Sequence, residues 1–356
     1  MLARISLTSL TLFLSAAFAV PVTGVPVRGE PKGLSGRYVF GTLDGSSHVV
    51  VFDTATMMPT LSFFAYAPMF TGGVNVATGD VNGDGLDEIV TGAGAGGGSH
   101  VKVFDGTTGA ELSSFFAYPP SFLGGVNVAV GDVDNDGFDD IVTGTASDTS
   151  HIKVFSGQTG TEIRSFFAFT PTFTGGVNVA SGDLNGDGFA EIVVGAGAGG
   201  GPQVRVFSGQ TGAELASFFA YNTSFAGGVR VAAGDITGDG VADIVTAANE
   251  GGGPHVKAFD LKGSELTSFF AGGPSDLVGG VFVGSVGVGG ANGATIYGTP
   301  GFAPAFTVTP FGGAYLGGVS GAALGPAAVP EPGTWALAAM ALTLVAGWRR
   351  ARSKAR

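Results

Sequence analysis

A block of about fifty residues repeats along this chain, and four of its copies carry an aspartate-rich loop. Loop 1 reads Asp80-Val-Asn-Gly-Asp-Gly-Leu-Asp-Glu88 and loop 2 reads Asp132-Val-Asp-Asn-Asp-Gly-Phe-Asp-Asp140. Loop 3 reads Asp183-Leu-Asn-Gly-Asp-Gly-Phe-Ala-Glu191 and loop 4 reads Asp235-Ile-Thr-Gly-Asp-Gly-Val-Ala-Asp243. Their first aspartates stand 52, 51 and 52 residues apart. A fixed period of this length means an array of one supersecondary unit, so single residues have to be read against the repeat.

Within one copy, a Gly-Gly-Val strand such as Gly124 to Val130 leads into the acidic loop. A buried-strand pattern (Asp140 to Gly144), an alternating strand (His151 to Phe155), a Ser-Gly-Gln-Thr-Gly turn and a last strand (Glu162 to Phe169) complete it. Four short strands separated by glycine-rich turns predict a propeller blade. Small residues in the first strand suit a crowded position near an axis. Paired phenylalanines in the last (Phe63-Phe64, Phe115-Phe116, Phe166-Phe167, Phe218-Phe219, Phe269-Phe270) suit gaps that widen with radius. Counting strands predicts an all-β propeller of about six four-stranded blades, with seven as the alternative. The strand at Gly317 to Ala323 is expected to join the N-terminal blade at Arg37 to Gly41.

Each acidic loop offers oxygens that suit a hard cation, and calcium fits best, because calcium takes six to eight oxygen ligands. Positions 1, 3 and 5 give side-chain donors: Asp80, Asn82 and Asp84; Asp132, Asp134 and Asp136; Asp183, Asn185 and Asp187; Asp235, Thr237 and Asp239. Position 7 gives a backbone carbonyl (Leu86, Phe138, Phe189, Val241), and position 9 a carboxylate (Glu88, Asp140, Glu191, Asp243). Up to four calcium ions are expected. Position 12 holds Thr91, Thr143, Val194 and Thr246, so the bidentate glutamate of an EF-hand is missing. His48, His100, His151 and His255 share one repeat position with Gln203, which points to a strand-start role rather than to metal ligation. Lys102, Lys153, Arg205 and Lys257 read as a solvated strand face.

The net charge of −12 makes nucleic acid or an anionic membrane surface a poor partner. Residues 1–19 read as a signal peptide, with Arg4, an apolar run from Leu10 and an Ala17-Phe-Ala19 cleavage signature. Cysteine is absent, so disulfides cannot cross-link the exported fold, and bound calcium is the expected substitute. At the other end an apolar run from Trp335 to Trp348 is followed by five basic residues. Its 14 residues fall short of the roughly 20 that span a bilayer.

The Pro330-Glu331-Pro332 triplet, the apolar run and the basic tail together resemble the PEP-CTERM sorting signal. That resemblance implies processing by signal peptidase and by exosortase, with brief retention in the inner membrane before release to the cell surface or extracellular matrix. The Gly-Asp-x-Asn-Gly-Asp-Gly loops resemble FG-GAP (VCBS) repeats, the units of the integrin-α-type propeller, over about residues 36 to 324. In that family the loop joins the first two strands of a blade and binds calcium. The organisation expected is a signal peptide (1–19), a linker (20–35), the propeller (36–324), a linker (325–329) and the sorting signal (330–356). No catalytic constellation stands out against the repeat. The expected function is therefore non-enzymatic binding or adhesion, toward an extracellular polysaccharide or a surface protein. A lectin-like module, or a polysaccharide hydrolase or lyase on the same scaffold, are the alternatives.

Overall fold

The computed structural model describes residues 37–42, 45–53, 56, 58–249, 251–253 and 255–270, with the backbone of five further strands between 282 and 323. The signal peptide, both linkers and the sorting signal lie outside the described residues. The fold is an all-β propeller. Blade 1 is built from β1 (Arg37–Thr42), β2 (His48–Asp53) and β3 (Pro59–Phe64). Blade 2 contains β4 (Val74–Gly79), β5 (Glu88–Ala93), β6 (His100–Asp105) and β7 (Glu111–Phe116). Blade 3 contains β8 (Val126–Gly131), β9 (Asp140–Thr145), β10 (His151–Phe155) and β11 (Glu162–Phe167). Blade 4 contains β12 (Val177–Gly182), β13 (Glu191–Ala196), β14 (Gln203–Phe207) and β15 (Glu214–Phe219). Blade 5 contains β16 (Val229–Gly234), β17 (Asp243–Ala248), β18 (His255–Phe259) and β19 (Glu265–Phe270). Each is an antiparallel meander in sequence order.

The expected count of about six blades, or seven, is corrected to five blades of three or four consecutive strands. The reason lies in the last copy. Its loop segment, Ser285 to Asn292, has no carboxylate, and its first two strands shrink to β20 (Phe282–Gly284) and β21 (Gly287–Gly290), of three and four residues. Such glycine-rich strands specify register weakly. They pair onward with β22 (Gly293–Gly298) and β23 (Ala303–Val308) in a further four-stranded sheet, whose first two strands are shorter than those of the five blades and whose connection carries no acidic loop. The last strand, β24 (Val319–Ala323), pairs antiparallel with β1, placing Tyr38 opposite Ala323 and Thr42 opposite Val319.

The middle of each blade is the core. Every residue of β5, β9, β13 and β17 is buried, because both faces of the strand are covered by neighbouring blades. Ile89, Ile192 and Ile244 are fully buried there, each contributing roughly 2 kcal/mol by taking apolar surface out of water. Close approach of adjacent blades needs Gly92: a Cβ at that position would collide with the Val126 carbonyl of blade 3. Asn75 donates to the same carbonyl at 3.0 Å, and Asn127 and Asn178 repeat the bond to Val177 and Val229 at 2.7 and 2.9 Å. A second staple sits further out. The Tyr66 hydroxyl reaches the Thr91 and His100 carbonyls of the next blade at 3.1 and 2.8 Å. Tyr118 and Tyr221 do the same to their neighbours.

The phenylalanine pairs divide their work. Alternation along the strand sends the first ring into the seam between blades. Phe63, Phe115, Phe166 and Phe218 meet Phe104, Phe155, Phe207 and Phe259 of the following blade with centroids 4.7–4.9 Å apart. The second ring of each pair faces solvent, which corrects the expectation that both fill the interblade gap.

Candidate cation-binding loops

The acidic loops connect the first strand of a blade to the second, as in β4 to β5 and β8 to β9. Glycine at position 6 makes the turn. Gly85, Gly137, Gly188 and Gly240 have φ values of 84°, 92°, 89° and 89°, a left-handed conformation that other residues rarely adopt. The first aspartate organises the turn. In loop 1 one Asp80 oxygen accepts from the Asp84 N–H at 3.0 Å and the other from the Gly85 N–H at 2.9 Å. Asp132 receives the equivalent bonds from Asp136 and Gly137 at 3.1 and 3.0 Å. Asp183 receives them from Asp187 and Gly188, and Asp235 from Asp239 and Gly240. Position 5 then accepts from the N–H of position 7, with Asp84, Asp136, Asp187 and Asp239 bonded to Leu86, Phe138, Phe189 and Val241 at 2.8–2.9 Å.

These bonds curl the donors of positions 1, 3 and 5 around one point. In loop 2 the carboxylates of Asp132, Asp134 and Asp136 present oxygens that all lie within 4.8 Å of one another, a group able to hold a metal ion. One Asp134 oxygen is buried without a hydrogen-bond partner. Uncompensated carboxylate burial costs several kcal/mol unless a cation or proton neutralises it. The oxygen-only donor set fits a hard cation such as calcium. Loops 1, 3 and 4 hold two carboxylates with Asn82, Asn185 or Thr237 at the middle position. The two asparagines turn their oxygens inward, accepting from the Asp84 and Asp187 N–H at 2.8 Å.

Position 9 lies beneath the loop, at the start of the second strand. Glu88, Asp140, Glu191 and Asp243 are buried. Each accepts from the backbone N–H of position 2: Val81 at 3.1 Å, Val133 at 3.0 Å, Leu184 at 2.9 Å and Ile236 at 3.1 Å. Their second oxygens differ. Glu88 and Glu191 take the side-chain amides of Asn82 and Asn185 at 2.9 and 3.1 Å, whereas Asp140 takes the Gly157 N–H at 3.0 Å. In loop 2 the position-9 carboxylate is therefore a clamp on the loop backbone and stands outside the trio. Burial pushes Glu88, Asp140 and Glu191 up to about 7, against the pull of those N–H donors, and raises Asp243 as well.

Position 8 is a feature that sequence reading passed over. Ala190 and Ala242 occupy it in loops 3 and 4, Asp87 and Asp139 in loops 1 and 2. The position 8 N–H reaches back to the position 1 carbonyl of the preceding loop: Asp139 to Asp80, Ala190 to Asp132 and Ala242 to Asp183 at 2.7–2.9 Å. Asp139 also accepts from the Asp80 N–H at 2.9 Å. Burial first, and then the neighbouring carboxylates, push Asp139 up to about 7 and Asp87 up to about 6. One Asp87 oxygen is buried without a partner. Their visible signal was an acid beside another acid, Asp-Glu and Asp-Asp, which the motif alone does not distinguish from a solvated pair.

The histidines keep to the role the sequence indicated. Each stacks on the solvent-facing phenylalanine of its blade and contacts a serine through Nε2, as His100 does with Ser114 at 2.7 Å. The basic face is corrected. Lys102, Lys153 and Lys257 are only 17–19% exposed and are ion-paired to Glu111, Glu162 and Glu265 at 2.6–2.7 Å.

Comparison with known proteins agrees with this geometry. An FG-GAP-like repeat model matches residues 80–143, 132–194 and 183–246, each match running from one acidic loop through the next. A PEP-CTERM protein-sorting motif matches residues 328–352. The chain carries FG-GAP-like repeats and a PEP-CTERM sorting motif. Integrin alpha pat-2 of Caenorhabditis briggsae is 29% identical over 51% of this chain and 18% of its own length. Integrin alpha-8 of Gallus gallus is 29% identical over 35% of this chain and 14% of its own. This FG-GAP chain thus spans less than a fifth of the curated relatives it matches. Among solved structures, a protein of unknown function from Bacteroides caccae aligns over 82% of this chain and 99% of its own, with TM-score 0.51 and 14% identity. Chaetomium thermophilum Raptor aligns over 81% and 25%, also with TM-score 0.51 and 14% identity. Both likenesses concern the fold alone. The repeats and the sorting motif together mark an exported, surface-associated protein. Among the described residues no helix is long and apolar enough to cross a membrane.

Proposed function

We propose that this protein is a calcium-stabilised propeller that works outside the cell as a non-enzymatic binding or adhesion protein, after processing by signal peptidase and exosortase. The observation that carries the calcium reading is the trio Asp132, Asp134 and Asp136, with a buried Asp134 oxygen that has no partner among protein groups. The same fold of the loop recurs in three further copies. Side chains at positions 1, 3 and 5 and the carbonyl at position 7 would hold the ion. Position 9 would hold the loop closed and add its charge. Calcium would supply the neutralisation that thirteen clustered carboxylates at positions 1, 3, 5 and 9 lack. An affinity of roughly 10⁻⁴ to 10⁻³ M, the range of extracellular modules, suits such a role.

The proposed organisation is a leader (1–19), a propeller spanning 36–324 and a sorting segment (330–356) centred on Pro330, Glu331 and Pro332. The sorting segment would anchor the chain briefly in the inner membrane, and cleavage near Pro332 would release it to the surface or matrix. Intact-mass analysis of protein recovered from the native host's surface or medium tests this. A mature chain ending near Pro332 supports the proposal, and a membrane-embedded chain still ending in Arg356 contradicts it.

A further inference from the structure

Five phenylalanines, one on the last strand of each blade, stand in the same orientation. Phe64, Phe116, Phe167, Phe219 and Phe270 are 51%, 52%, 52%, 51% and 68% exposed. Each residue keeps about half or more of its surface exposed, and in four blades a histidine ring lies against one face of the phenylalanine. His100 stacks on Phe116 at 4.6 Å and 19°, and three other blades show the same stack at 4.4–5.0 Å. Blade 4 puts Gln203 at the position, and its amide keeps the bond to serine, donating to Ser217 at 3.0 Å. What the repeat preserves is therefore a flat polar support bonded to a serine hydroxyl, not an imidazole that titrates or binds metal. The support covers one face of the ring and leaves the phenylalanine half exposed.

Outer strands are edges, and an edge is normally blunted by charge or proline, because exposed apolar edges invite aggregation. Repeated exposed aromatics therefore ask for a ligand. The surroundings of each ring narrow its chemistry. The His100 ring lies against Phe116 and bonds the Ser114 hydroxyl, and the Lys102–Glu111 ion pair at 2.6 Å stands further along the same hairpin. The pair cancels its own charge, and a chain of net charge −12 repels polyanions, so the matching ligand is uncharged. An exposed aromatic ring with a serine hydroxyl and a charge-neutral ion pair on the same hairpin suits a pyranose ring, whose C–H face packs on the aromatic while its hydroxyls bond at the rim.

We infer that the outer strands form a row of equivalent subsites for a neutral polysaccharide, one exposed phenylalanine ring per blade. The inference deepens the reading of the protein as a surface binder and rests on it. Individually weak subsites on one rigid scaffold gain from a polymer that engages several at once.

Affinity electrophoresis of the calcium-loaded full chain tests this, in gels containing a neutral glucan (hydroxyethylcellulose or dextran) or anionic alginate. Retardation by a neutral glucan, and not by alginate, is expected. Replacing all five rings with alanine should weaken it by about tenfold or more. Phe116→Ala alone should weaken it less, and Phe116→Trp should preserve it. The rings are on the surface, so the five-alanine variant should keep the calcium-dependent melting transition; this separates loss of glycan binding from failure of the calcium reading. If that variant does not fold, loss in Phe116→Ala with retention in Phe116→Trp still supports the inference. Equal retardation of wild type and variants would overturn it, as would no retardation by either neutral glucan or retardation by alginate instead. Light scattering that shows self-association of the wild type, lost in Phe116→Ala, would assign the face to a second copy of the chain and also overturn it.

Discussion

Loops 1 and 2 carry an aspartate at position 8 where loops 3 and 4 carry alanine, and the difference changes how the loop region is held. Loops 3 and 4 place Ala190 and Ala242 against the preceding loop, each making a single backbone bond and adding no charge. Loops 1 and 2 put a buried Asp87 and a half-buried Asp139 at this loop position. Asp139 gains one more bond, to the Asp80 N–H at 2.9 Å, while adding a carboxylate to a region that already holds Asp80 and Asp132. Asp87 adds a carboxylate with an unpartnered oxygen. The N-terminal half of the loop array is therefore more strongly frustrated without cations and has more to gain from them. The C-terminal half relies more on packing.

Substitutions can sharpen or break this contrast. Asp132→Ala should have the largest effect. It removes a ligand from the densest trio and leaves the Asp136 and Gly137 N–H groups without their acceptor. The expected loss is about 3 kcal/mol in calcium, read by denaturant unfolding, and less in EGTA. The matching Asp235→Ala in loop 4 should cost less, and an equal cost would break the contrast. Asp140→Ala should cost about 2 kcal/mol in EGTA and somewhat more in calcium, because its two N–H bonds persist in both conditions while its charge helps only when the ion is bound.

Acid should stabilise the metal-free protein and reduce the gain that calcium gives. Glu88, Asp140 and Glu191 sit near 7 in the folded, metal-free chain, above ordinary carboxylate values. The folded state therefore binds more protons than the unfolded state between about pH 4 and pH 7. Metal-free stability should rise as pH falls from 8 to 5. The increment given by calcium should shrink over the same interval, since protonating position 9 removes the charge it adds beside the ion. Parallel pH–stability curves with and without calcium would contradict this. The smallest effects belong to single-site tuning. Thr237→Asp should raise the calcium affinity of loop 4 about threefold to tenfold by adding a charged ligand. Asp87→Ala, which copies loops 3 and 4, should stabilise the metal-free protein by about 1 kcal/mol or less, as removing an unpaired buried polar group does.

Much of this was legible in the sequence because the repeat averages over local ambiguity. Four acidic loops at one spacing gave the strand–loop–strand unit and its donors. Strand types followed from residue size, and the role of the histidines followed from Gln203. What escaped depended on neighbours that a linear pattern does not contain. The two rings of Phe115-Phe116 look alike in sequence, yet only the contact of Phe115 with Phe155 of the next blade decides which is buried. Lys102 reads as a solvated lysine until Glu111, across the hairpin, is seen to meet it. Asp87 and Asp139 are hidden by an ordinary acidic run. The blade count failed where glycine replaced the acids, since a strand pattern in Val-Gly-Val-Gly-Gly carries too little side-chain information to define a blade.

The central claim is that calcium in the acidic loops holds this propeller together. The most direct test is thermal melting of the protein in EGTA and in millimolar calcium, with magnesium as a control. A midpoint higher by many degrees in calcium is predicted, with little gain from magnesium and a reduced calcium gain in Asp132→Ala. Equal midpoints in EGTA and calcium would contradict the account.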